Sequence, residues 1–98
     1  MKIQSIIYCS DTLNKIDEML QSNEVETCKL ALGMCLQELP DRILNYNSEW
    51  LYENFKNGLV KDIIKKGIDC DDVESLYKYC WAIHFTLMSF KTILTKIV

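Results

Sequence analysis

Three glycines and one proline in 98 residues leave few places where this chain must turn or break, so it is expected to consist mostly of regular elements. Gly33, Gly58 and Gly67 stand far apart, which excludes a glycine-rich loop that cradles phosphate. The single histidine, His84, leaves nucleophilic catalysis with one candidate base, and Cys80, four residues earlier, is the candidate nucleophile on the same helical face. Cys9, Cys28, Cys35, Cys70 and Cys80 are odd in number and contain no C-x-x-C pair, which argues against a disulfide framework and a zinc ribbon. They read instead as small buried hydrophobes kept reduced in a cytoplasm. The longest apolar neighbourhood, Tyr79 to Phe90, falls short of the ~20 residues that cross a bilayer. The run "IQSIIYC" after Lys2 is interrupted by Gln4 and Ser5 and lacks a small-residue cleavage site, so no export is expected.

What is present is ordinary for a globular chain: 49% apolar and 26% charged residues. At this length a single domain is expected, burying roughly 60 to 70% of its unfolded surface. The net charge of -3 is unevenly spread, with 4 basic and 8 acidic side chains in residues 1–49 against 7 and 6 in residues 50–98.

Apolar spacing is helical along most of the chain. Ile3, Ile6, Ile7, Leu13, Ile16 and Leu20 recur at nearly helical intervals, although "SIIYCS" by itself fits a short strand, and Ser10 or Asp11 can restart a helix. Asn23 with Glu26 has capping-box spacing ahead of the stripe Val25, Cys28, Ala31, Leu32, Cys35 and Leu39, a helix that should end by Pro40. Pro40 can open a short piece through Leu44. Asn47 and Ser48 offer a cap for a helix with Trp50, Leu51 and Phe55 inward, halted at Asn57 and Gly58. Leu59, Val60, Ile63 and Ile64 make another helix, with Lys65 and Lys66 at its negative end and Gly67 as a left-handed stop.

The last segment opens with Asp69, Asp71, Asp72 and Glu74, where a helix N-terminus carries partial positive charge, and Asp71 with Glu74 again has capping-box spacing. Val73, Leu76, Tyr77, Cys80, Trp81, His84, Leu87, Met88 and Leu94 then return to one side, and Ile83, Phe85 and Phe90 widen it. A helix apolar around most of its circumference is normally enclosed. The expected fold is therefore all-α, an irregular bundle of five to seven helices around a hydrophobic C-terminal helix that runs nearly to Val98.

Two ligands at Cys80 and His84 do not complete a metal site, and His84 reads as a core histidine bonded to Tyr, Ser or backbone. Carboxylate pairs such as Asp17 with Glu18 and Glu24 with Glu26 fall at helix starts or on polar faces, where solvation rather than acid-base work is expected. The outline "KDIIKKGIDCDDVESLYKYC" has the form of helix, turn, helix, but its second helix would bring Asp72 and Glu74 to phosphate. No cofactor, no direct nucleic acid and no catalytic activity are expected. In "LNYNSEWLYENF" helical spacing gathers Tyr46, Trp50 and Phe55, with core packing the simplest account of Trp50, and turns Tyr52 outward as an aromatic anchor among acids.

A small, acidic, helical chain with aromatics among its carboxylates resembles, in overall character, the bacterial immunity proteins of contact-dependent inhibition systems and nuclease colicins. That resemblance implies a cytoplasmic inhibitor that binds a basic toxin domain one to one and covers its active site. Glu49, Tyr52, Glu53, Asp69, Asp71, Asp72 and Glu74 are the residues expected to meet the partner. The alternative is a helical adaptor or self-associating regulatory subunit that uses its C-terminal helix as an oligomer interface.

Overall fold

The computed structural model describes the backbone of Asp11 and residues 13–97 and the side chains of Asp11 and residues 13–90. Among these residues the protein is all-α, with six helices: α1 (helical over 13–20), α2 (Val25–Glu38), α3 (Asp41–Leu44), α4 (Glu49–Phe55), α5 (Val60–Ile68) and α6 (Val73–Ile97). The expectations for residues 2–9, Ser10, Cys9 and the side chain of Leu94 lie outside the described residues. One antiparallel bridge, Asn47 with Leu59, ties the two ends of α4 together. The 25 residues of α6 extend about 37 Å at 1.5 Å each, close to the 41 Å long axis of the molecule.

The core follows the helical stripes. Leu13, Ile16 and Leu20 of α1 meet Cys28, Ala31, Leu32 and Cys35 of α2 and Val60, Ile63 and Ile64 of α5 in one cluster with Leu76, Cys80, Ile83 and Leu87 of α6. The helix α5 packs against both α2 and α6, because its apolar side chains occupy one face and its lysines, Lys65 and Lys66, the other. Deep in this cluster Asp17 of α1 and His84 of α6 form a buried pair through the histidine Nδ1. The histidine is thus bonded to a carboxylate rather than to Tyr, Ser or backbone, and Asp17 is not the solvated acid its neighbour Glu18 is.

Several expected helix boundaries shift for local reasons. The first residue outside α2 is Glu24, with no side-chain cap. Asn23 does not form the capping box with Glu26; it adopts a left-handed φ of 61°, which Asn tolerates better than most residues. Its carbonyl accepts the Tyr77 hydroxyl at 2.8 Å, so this turn is held by α6. Ser48 caps α4 as expected, accepting from the Leu51 amide at 3.3 Å. That helix ends at Lys56, left-handed at φ 55°, one residue before Asn57. The cap of α6 is Asp72 instead of Asp71: its carboxylate accepts the Ser75 amide at 3.0 Å and the Ser75 hydroxyl at 2.7 Å.

Gly67 is not a left-handed stop but an interior residue of α5, with no positive φ. Glycine fits there because a Cβ would lie 2.6 Å from Leu32 Cδ1 and 3.3 Å from Tyr79 Cβ, so it sets how closely α5 approaches α2 and α6. The larger correction concerns α6. One face, carrying Leu76, Cys80, Ile83, His84 and Leu87, is buried, while Val73, Trp81, Phe85 and Met88 are exposed. The helix is central but not enclosed. Among the other described helices α2 and α5 pack against it, and Trp50, assigned above to the core, also lies outside it.

Candidate functional site

The exposed face of α6 is built by spacing alone. Tyr77, Trp81, Phe85 and Met88 follow one another at intervals of four, four and three residues, which aligns them in a stripe about 100° around the helix from Leu76, Cys80, Ile83 and Leu87. Across from it, α4 is held by its Ser48 cap, by the Ser48 amide donating to the Gly58 carbonyl at 2.7 Å, and by the Val60 amide donating to the Tyr46 carbonyl at 3.2 Å. Leu51 is buried and Phe55 packs on Tyr79 with ring centres 5.4 Å apart. With those two residues inward, the helix turns Trp50 and Asn54 toward α6.

Trp50, Trp81 and Phe85 meet there at 47%, 42% and 51% exposure. The Phe85 ring lies 6.5 Å from Trp50, nearly perpendicular to it at 76°, and 5.7 Å from Trp81 at 39°. Trp50 and Phe85 form a ridge between two hollows. The first, about 450 Å³, is walled by Tyr46, Trp50, Phe85 and Phe90 with Ser48, Thr86 and Ser89, and Tyr46 stands edge-on to Phe90 at 5.0 Å. The second, about 550 Å³, is walled by Trp50, Phe55, Tyr77, Trp81 and Phe85, with Glu74 and Lys78 bringing the charges. Single exposed aromatics need no explanation, but a contiguous patch flanked by polar residues is the usual mark of a binding face.

Of the residues expected at a partner surface, all seven are exposed, and Glu74 is the one that lines the aromatic hollow. Glu49 and Glu53 flank Trp50 on the outer side of α4 by helical spacing. Tyr52, 65% exposed, projects from the far side of that helix. Asp69, Asp71 and Asp72 occupy the turn into α6. Asp72 is also the helix cap, and its hydrogen bonds from Ser75 hold its carboxyl below the ordinary carboxylate value. The reading from sequence missed Trp50, Trp81 and Phe85 as surface residues. The sequence carries part of the signal, two apolar stripes along α6, but not which of them other helices cover.

The buried thiols among the described residues do not line either hollow. Cys28, Cys35 and Cys80 are buried; burial and the nearby Asp17 push the Cys35 thiol up to about 12, and burial beside Cys28 raises Cys80 as well. Both changes favour the protonated thiol, the opposite of nucleophile activation. The Asp17–His84 pair therefore has no activated thiol in Cys80 to work with, and its evident role is to join α1 to α6. Among the described residues no three His, Cys, Asp or Glu side chains are grouped to hold a metal ion, and no helix is long and apolar enough to cross a membrane.

No protein family, characterised protein or solved structure matches this chain. Its function must be read from the geometry of the face itself.

Proposed function

We propose that this chain is a non-catalytic binding protein of the immunity type, which holds a basic toxin domain against the face formed by α4 and α6. The observation that carries this reading is the cluster of Trp50, Trp81 and Phe85, each about half exposed, with the Phe85 ring in contact with both tryptophans. Aromatic residues of this kind dominate binding energy when a partner desolvates them. The acids around them, Glu49, Glu53, Glu74 and the turn at Asp69, Asp71 and Asp72, act earlier. They attract a positively charged surface and speed encounter at low salt. A domain that handles nucleic acid carries such a surface, and an acidic inhibitor seated there excludes the nucleic acid.

The experiment is direct binding to a purified basic toxin domain encoded beside this protein. Trp81→Ala should raise the dissociation rate by about 30-fold or more, as expected of a hot-spot residue. Replacing Glu49, Glu53 and Glu74 with Gln should slow association at low salt and flatten its salt dependence. Dissociation unchanged by loss of Trp50, Trp81 and Phe85 would refute this use of the face.

The exposed apolar stripe of α6 also favours a second reading, self-association through Trp81, Phe85 and Met88. A concentration-independent monomer in light scattering would exclude it.

A further inference from the structure

We propose that the hollow between α4 and α6 is a receptor for an arginine side chain of the partner, a position that rests on the binding role above and specifies its anchor. The walls are rings set at steep angles: Phe55 at 63° to Trp50 with centres 6.1 Å apart, and Phe85 at 76° to Trp50. Ring faces carry partial negative charge and attract a cation that lies against them. Guanidinium is flat, weakly hydrated and permanently charged, so it stacks on one ring while directing its N–H groups to an acceptor. Glu74 supplies that acceptor within the same hollow.

Charge selects this hollow over its neighbour. The first hollow is walled by aromatic and hydroxyl side chains without a carboxylate, which suits an apolar group. The second contains Glu74, four residues before Lys78 on the same helix, and Lys78 in turn lies in the field of Asp72. The lining thus holds one carboxylate and one ammonium, and a guanidinium is drawn by Glu74 while Asp72, outside the hollow, competes for Lys78. Lys78 nevertheless opposes it, which gives the proposal a sign that an apolar pocket would not have.

Both tryptophans of the chain line this hollow, so intrinsic fluorescence reports on it directly. The intact protein is titrated at low ionic strength with N-acetyl-arginine amide and, in parallel, with its neutral isostere N-acetyl-citrulline amide. Arginine should give a saturable change, with citrulline about tenfold weaker or more. Glu74→Gln should weaken the arginine ligand about threefold or more and Lys78→Gln should tighten it, while Trp81→Leu, on the surface and checked for folding by circular dichroism, should remove the response. Equal responses to arginine and citrulline, no saturation, or indifference to both charge variants would overturn the cation site. Partner binding that still requires Trp81 but ignores Glu74 and Lys78 would defeat this inference and leave the broader function standing; arginine binding without any toxin complex would do the reverse.

Discussion

The buried pair Asp17–His84 offers the sharpest test of how α1 is secured. Both side chains are about 10% accessible, and the imidazole also packs edge-on against Trp81 with ring centres 5.2 Å apart. Replacing His84 with Leu keeps most of the volume but takes from the buried Asp17 carboxylate its imidazole partner. Removing one partner of a buried pair costs about 3 to 5 kcal/mol, a large part of the 5 to 15 kcal/mol that a domain typically has. Replacing Asp17 with Leu leaves an imidazole that can become neutral, so the loss should be smaller, about 1 to 3 kcal/mol for an unsatisfied buried polar group. The double variant removes both members of the pair and should be more stable than His84→Leu alone, since it no longer buries a carboxylate that has lost its imidazole. Urea unfolding followed by circular dichroism reads this directly. At a slope of about 1 to 1.5 kcal/mol/M, the His84→Leu midpoint should fall by roughly 2 to 5 M. Additive single effects, or a His84→Leu cost below about 1 kcal/mol, would refute the assignment of a coupled structural pair.

Three further outcomes follow from the packing. Under native conditions a thiol reagent should label Cys70, which is partly accessible, and spare Cys28, Cys35 and Cys80, whose burial excludes it and holds Cys35 and Cys80 protonated; mass spectrometry of the labelled peptides checks this. Gly67→Ala should destabilise by about 1 kcal/mol in the same urea assay, because overpacking against Leu32 costs about 1 to 3 kcal/mol while the gain in helix propensity returns about 1. Asp72 has a depressed folded-state value, so its stabilising contribution is present above its ordinary value of 3.8 and is lost as pH falls through the lower folded one. Asp72→Asn should therefore narrow the gap in thermal midpoint between pH 6 and pH 2.5, and an unchanged gap would exclude the charged cap.

The sequence determined the helical class, most of the helices and nearly all of the core, because burial in a helix follows a local period. Leu13, Ile16 and Leu20, the stripe from Cys28 to Leu39, and Leu76, Cys80, Ile83 and Leu87 were all legible, and so was the Ser48 cap. Exposure of Tyr52 and the acidic turn at 69–74 was legible for the same reason. What tertiary structure decided was which of two apolar stripes on α6 would find a covering neighbour. Periodicity marks a side chain as able to be buried but cannot count the helices available to bury it, and among the described residues no helix encloses Trp81 and Phe85. Likewise Asp17 became a core residue only because α1 folds back onto His84, 67 positions away. The role of Gly67 is another such case: it depends on Leu32 and Tyr79 arriving from two other helices, a coincidence in space that no local pattern records.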